Sequence, residues 1–327
     1  MNIIAYRLPG EQEIFIYRAE KTGKPLFRPD NKSFLIAPFH PENPAILYEL
    51  KNRLECIPEM NQKSRNTSAV KELTKEEYAD YLSHIKKSID GDLERKTVAA
   101  RRKRVPVTRS VNDIFKNLCE SFPEAFVFYI DTEDHGCWIG ASPELLLKRE
   151  GNTLESMALA GTRSAGYDAP WDEKNLREQA IVTKTIKETF ENHGLLCRET
   201  EVQTKNAGSI EHLMTRLSAE CSDEVDISAL LNELSPTPAL CGYPREVSLE
   251  TIIKYEGDRE LYGGYMGVIN LDGNFLLNVI LRCVRLENER EAVLFGGGGI
   301  TAMSETEAEW METEKKMGGL KKILGAE

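Results

Sequence analysis

The sequence predicts an α+β fold in which two packed, antiparallel-rich sheets are flanked by helices in a layered sandwich. Three observations carry this. Strand-like apolar runs come in hairpin-like groups, long amphipathic helices separate those groups, and the regular strand-helix alternation of a Rossmann or barrel arrangement is absent. The 327 residues show no internal repeat and no low-complexity segment. Without a flexible linker after residue 75, the chain is expected to be one domain over 1–327, with 1–73 peripheral and 74–327 as the core.

The elements follow in order. NIIAYRL, EIFIYR and SFLIAPF read as strands separated by the turn-rich pieces RPDNK and HPENP, and CIPEMNQKSRNTSAVKEL reads as an exposed connection. From Lys75 to Asp90, Tyr78, Leu82, Ile85 and Ile89 recur at helical spacing, and DGD ends that helix. KTVAARRKRVPV reads as a strand, and SVNDIFKNLCESFP as a helix that Pro123 terminates. AFVFYI and CWIGASPELLLKRE form two strands joined by DTEDHG. Helices are expected from about Asp172 through Asn192 and from Arg245 to Ile253. YGGYMGVINLDG, NFLLNVILRCVRL and EAVLFGGGG then give three strands, and a last helix starts at Glu305.

Composition excludes several functions. The net charge of −11 argues against a nucleic-acid partner held by its phosphates. No window of 18 apolar residues and no leader-like N-terminus occur, so the expectation is a cytoplasmic protein without membrane insertion. The seven cysteines include no pair two residues apart and no histidine at finger spacing, which points to a reducing compartment without structural zinc. With no conspicuous apolar surface helix, a monomer is expected.

Chemistry concentrates near the C-terminus. Four glycines in FGGGGITAMS let a ligand approach the backbone closely, and the following SETEAEWMETEKKM places Glu309, Glu312 and Lys316 on one helical face. Ser304 and Glu307 have capping-box spacing. Carboxylates without histidine favour a hard divalent ion such as Mg2+ over zinc, and GGGG lacks the lysine of a phosphate loop. Glu178 could supply a second carboxylate from the middle helix, although taken alone it reads as a surface residue. Period two puts Lys96, Val98 and Ala100 on one strand face, so Lys96 could point inward, although taken alone it reads as a solvated lysine. His212 reads as a structural histidine and Cys241 as packing.

These motifs make the chain recognisable. ASPELLLKRE, ALAGTRSAG, EKNLREQAIV, LSPTPALCGYPRE, DRELYGGYMGVI, LNVILRCVRL and LFGGGGITAMSETEAEWMETEKK stand in the order typical of the chorismate-utilising enzymes, from about residue 75 to the end. The chain resembles the isochorismate synthase branch, especially the enzymes of menaquinone biosynthesis. The resemblance implies Mg2+-dependent conversion of chorismate to isochorismate, by water addition at C2 and loss of the C4 hydroxyl, on the fold of that family. It implies Lys96 as the base, Glu144 as the acid, Glu178 and Glu312 as metal ligands, and Glu309 in their support. Arg282, Lys316 and the Gly297 amide would contact substrate carboxylates, with Gly161 and His212 lining the pocket.

Within the family, amination of chorismate goes with a lysine where ALAGTR has Ala160, so no glutaminase partner is expected. Salicylate synthases carry threonine where this chain has Ala239, which makes salicylate synthase the alternative enzyme, and a non-catalytic chorismate-binding protein the alternative of another class. Departures from the family pattern are Ser235 for histidine, Arg216 for proline and Gly298 for alanine, and relatives are often longer at the N-terminal side. The sequence does not separate a menaquinone pathway from a siderophore pathway.

Overall fold

The computed structural model describes residues 2–27, 29–60, 71–207 and 210–326. Seventeen strands and six helices occur among them. The first strands are β1 (Asn2–Arg7), β2 (Ile14–Thr22), β3 (Ser33–Ala37) and β4 (Ile46–Arg53). After α1 (Lys75–Ile89) come β5 (Lys96–Pro106), α2 (Val111–Ser121), β6 (Phe126–Thr132), β7 (Gly136–Ser142), β8 (Leu145–Glu150) and β9 (Thr153–Ser164). The next group is α3 (Glu173–Asn192), β10 (Arg198–Glu199), β11 (Gln203–Ala207), β12 (Ile210–Glu220), α4 (Ile227–Leu234), β13 (Gly242–Tyr243) and α5 (Arg245–Glu256). The last is β14 (Tyr265–Ile269), β15 (Phe275–Val279), β16 (Cys283–Asn288), β17 (Glu291–Ile300) and α6 (Thr306–Leu324).

The pairing is antiparallel throughout these described residues and runs as one ribbon. From β12, to which β10 and β11 attach, it passes through β9, β8, β15, β14, β3, β4, β2, β1, β6, β7, β16, β17 and β5 to β13. The antiparallel-rich layering expected from the sequence is present, with the strands joined edge to edge. The first sixty residues, expected at the periphery, supply β1 and β3, each flanked by a strand on both sides.

Strand alternation builds two cores from one ladder. Ile4 and Tyr6 of β1 and Phe126, Phe128 and Ile130 of β6 face one apolar cluster, shared with Val182, Ile186 and Phe190 of α3. Ile3, Ala5, Val127 and Tyr129 face the other, shared with Ile114, Phe115 and Leu118 of α2 and Met317 and Leu320 of α6. Helix α3 covers β9 and β12, whereas α6 covers β17 and β5, so the two ends of the ribbon each carry a helix toward the same cleft.

Several local expectations change. NFLLNVILRCVRL divides into β15 and β16, because Arg282 adopts a left-handed backbone (φ 46°) and its carbonyl accepts from the Ala141 amide at 3.1 Å. CWIGASPELLLKRE divides at Pro143 into β7 and β8. The capping box expected at Ser304 and Glu307 does not form: the Ser304 hydroxyl accepts from Thr301 N at 3.1 Å and turns back to the Gly299 carbonyl, while Glu307 pairs with Lys75. A capping box does form at Thr74 and Glu77 of α1, and Asp172 caps α3. Residues 61–70 of the connection expected to be exposed lie outside the described residues; nearby Ile57 and Met60 are buried. Strands β4, β9, β11 and β12 and helix α4 had no counterpart in the periodicity of the sequence.

Candidate active site

A cleft with a cavity of about 80 Å³ opens where the two ends of the ribbon face each other. One wall is β9 and β12 (Leu159, Ala160, Gly161, His212) and the other is β5 and β17 (Val98, Phe295, Gly296 to Gly299). Glu144, from the turn between β7 and β8, and Arg282, from the break between β15 and β16, close the end. Glu178 and Lys316 project from α3 and α6.

The glycines of β17 are required by what crowds them. A Cβ at Gly299 would lie 2.3 Å from Glu178 Oε1, and one at Gly298 3.0 Å from Glu309 Oε2 and 3.3 Å from Glu312 Oε1. Three carboxylates from two helices therefore press on two consecutive backbone units. Strand β16 pairs with β17 only through Leu294, which leaves the glycine segment bonded to β5 on one side and open on the other. Lys316 Nζ donates to the Gly297 carbonyl at 2.8 Å. Because a β-residue's N–H and C=O point to the same side, the Gly297 amide also faces the open edge.

Every one of these carboxylates holds a lysine. Lys96, fully buried on β5, donates to Glu178 Oε1 at 3.0 Å, which corrects its reading as a solvated lysine. Glu178 is 9% exposed, which corrects its reading as a surface residue. Burial raises its carboxyl, but Lys96 and then Lys174 outweigh burial and hold it below the ordinary value. Lys316 pairs with Glu312 at 2.7 Å, and Lys174 with Glu309 at 2.5 Å. Glu309 is 1% exposed; burial lifts its pKa against the opposing pull of Lys174, and its Oε2 has no hydrogen-bond partner.

The far side of the cleft is different. Glu144 is 2% exposed, and burial pushes its carboxyl up to about 8 in spite of Lys96, Lys205 and Lys316. Its backbone is fixed by Val279 N to the Glu144 carbonyl at 3.1 Å and by its own amide to Ser142 Oγ at 3.3 Å. The buried Thr237 hydroxyl lies beside the acid and has no hydrogen bond within normal limits, yet it contributes to lowering the acid's pKa. His212 is held neutral, its pKa driven down to about 3 by burial and then by Arg282 and Lys316. Arg282 Nη2 donates to His212 Nε2 at 2.8 Å, so that nitrogen is the acceptor and Nδ1–H donates to the Gly161 carbonyl at 2.9 Å. Gly161 (φ 70°) and Gly140 make room for this arrangement, since a Cβ on Gly140 would meet the Arg282 carbonyl at 2.8 Å.

Seven of the ten residues singled out in the sequence, Glu144, Gly161, Glu178, His212, Arg282, Gly297 and Lys316, line one cleft; Lys96, Glu309 and Glu312 do not line it but press on residues that do. Thr237, Lys174 and Lys205, whose Nζ donates to the Pro143 carbonyl at 3.0 Å, were not singled out. Thr237 lies within the PTPA run and Lys174 one helical turn before Glu178, the only signals the sequence offered. The electrostatics suit a small anion: Lys96, Arg282 and Lys316 surround a space whose acid, Glu144, is protonated at neutral pH. Among the described residues no three histidine, cysteine, aspartate or glutamate side chains converge as a metal-holding group. The all-oxygen pair Glu178 and Glu312, brought from two helices against Gly299 and Gly298 where no side chain would fit, nevertheless fits a hard cation of the kind that one or two carboxylates hold together with water and ligand.

Comparison with known proteins gives concordant results. The family model described as chorismate binding enzyme matches residues 42–325. Isochorismate synthase EntC of Escherichia coli (strain K12) is 32% identical over 224 residues, which is 65% of this chain and 57% of that protein, so the match spans little more than half the relative's length. The vibriobactin-specific isochorismate synthase of Vibrio cholerae (serotype O1) is 30% identical over 317 residues, 90% of this chain and 78% of that protein. The solved structure of MenF, the menaquinone-specific isochorismate synthase from Escherichia coli, has a TM-score of 0.79 and covers 99% of this chain and 89% of its own at 20% identity, a likeness of fold. Among the described residues no helix is long and apolar enough to cross a membrane.

Proposed function

This chain belongs to the chorismate-binding enzyme family, and we propose that within it the cleft converts chorismate to isochorismate with the help of Mg2+. The observation that carries the reading is a buried, protonated acid, Glu144, lining a cationic cleft, with a buried lysine, Lys96, near enough to act on the acid's pKa and bonded to Glu178 of the cleft wall. Exchange of a C4 hydroxyl for a C2 hydroxyl needs an acid and a base at separate ring positions.

In this reading the substrate's carboxylates lie against Arg282, Lys316 and the Gly297 amide. His212 fixes the Arg282 guanidinium, and Gly161 leaves space for the ring. Lys96 Nζ, once it has lost the proton it carries in the ion pair with Glu178, takes a proton from the water whose oxygen bonds to C2 while the ring double bonds shift toward C4. Glu144 gives its proton to the C4 oxygen, which leaves as water, so one water enters and one departs. Glu178 and Glu312 would hold Mg2+, supported by Glu309, and the ion when bound supplies positive charge at the ring carboxylate. The cation and the basic side chains together explain how a protein of net charge −11 accommodates a dianion.

The same reading takes residues 1–327 as one chorismate-binding unit with its catalytic core in 74–327, acting as a monomer and without a glutaminase. Ala160, where aminating relatives have lysine, supports the last point. Menaquinone biosynthesis is the pathway reading and rests on sequence resemblance alone. The test is product analysis after incubation with chorismate and Mg2+, with and without ammonia. Isochorismate in both samples, abolished by EDTA, is expected. Salicylate with pyruvate would move the protein to the salicylate synthases, and unchanged chorismate would make it a binding protein.

A further inference from the structure

Of the three lysines that hold carboxylates at the glycine strand, two have further roles in the proposed reaction. Lys96 serves the attacking water and Lys316 the substrate. Lys174 has neither position. It stands in the first turn of α3, one turn before Glu178 and on the same face, does not line the cleft, and reaches across to Glu309 of α6. Its positive charge acts on Glu309 first, then on Glu178 and Glu312. Glu309 is almost fully buried and offers one oxygen, Oε2, that has no hydrogen-bond partner among the described residues.

We propose that Lys174 is a positioning residue that neutralises Glu309 and keeps it out of the cation's ligand set. This rests on the reading that Glu178 and Glu312 hold Mg2+. A buried carboxylate without a counter-charge is costly, and the nearest relief for Glu309 would be ligation of the ion beside it. Mg2+ has six positions and holds its ligands in a strict octahedron, so a third carboxylate would occupy a position that the substrate's carboxylate or a water needs. Lys174 satisfies Glu309 from outside and leaves that position open.

The test is calorimetric titration of MgCl2 into the full chain without substrate. Lys174→Met is expected to bind Mg2+ about tenfold more tightly, because Glu309 joins the ligands. Glu309→Gln, which leaves the lysine's charge uncompensated, is expected to bind about tenfold more weakly, and the Lys174→Met/Glu309→Gln double variant to return to within about threefold of wild type. Opposite signs that cancel are not produced by a merely structural contact. Single variants that shift affinity in the same direction, or not at all, would overturn the inference. Should Lys174→Met fail to fold, unchanged or tighter binding by Glu309→Gln would overturn it as well. A wild-type protein that shows no saturable Mg2+ binding would overturn the metal reading and this inference together, whereas normal wild-type binding with unmoved variants would overturn the inference alone.

Discussion

The two sides of the cleft treat charge in opposite ways. At the glycine strand every carboxylate is matched by a lysine: Glu178 by Lys96, Glu309 by Lys174 and Glu312 by Lys316. Across the cleft, among the described residues Glu144 and His212 make no ion pair, and burial outweighs the lysines near the acid and drives both groups to their neutral forms. Pairing preserves charge under burial, and isolation removes it. One side is thereby suited to binding ions, while the other can give up a proton near neutral pH.

The largest effects are expected where the isolated acid and the buried base are removed. Glu144→Gln and Lys96→Ala should each lower kcat by about 10²- to 10⁴-fold with the fold retained, read by steady-state kinetics beside circular dichroism. Near-normal turnover in both would dissolve the acid-base assignment. Glu178→Gln and Glu312→Gln should raise the Mg2+ concentration for half-maximal activity by about 10- to 100-fold, since each removes a ligand and strands a lysine. An unmoved metal titration would count against those ligands.

The acid side also predicts two pH effects. With Glu144 titrating at about 8 in the free protein, kcat/KM should fall as pH rises through about 8, because the proton donor is lost. The native pKa lies above the ordinary value of 4.5, so the neutral acid's contribution to stability is fully present below 4.5 and lost as pH rises through about 8. Thermal melts should therefore show Glu144→Gln gaining on wild type over that interval; parallel curves would mean the carboxyl is not isolated. The smallest effect is expected from Thr237→Val. Removing a hydroxyl that lowers the acid's pKa should move the alkaline limb upward by about a few tenths of a pH unit, and a downward move would place that hydroxyl elsewhere.

Local periodicity and long-range contact divided what was legible in the sequence. Spacing of three and four residues placed Glu309, Glu312 and Lys316 on one helical face, whereas period two only allowed an inward Lys96, which read alone as solvated. The partners of those residues come from remote elements: Lys96 meets Glu178 82 positions away, and Lys174 meets Glu309 at a separation of 135. No local pattern carries that information, so the family resemblance alone joined Glu178 to the site. Strands β9 and β12 went unread because LESMALAGTRS and IEHLMTRLSAE mix small, polar and apolar residues; in the structure they pair with each other and pack beneath α3. The break at Arg282 had no glycine or proline to announce it. Its cause is a backbone carbonyl captured by a strand 141 positions earlier.

The pairing of β5 with β17 joins residues 97–106 to residues 291–300. During synthesis on the ribosome, β5 is among the early segments to emerge, and its glycine-rich neighbour follows nearly two hundred residues later. Until then Lys96 has no closed cleft around it and β5 presents a bare edge of backbone donors and acceptors, the kind of surface that recruits other nascent strands. Closure of such a distant pair is slow relative to local hairpins. The ribbon that brings its two ends together thus withholds a closed cleft from a partly made chain until β17 arrives.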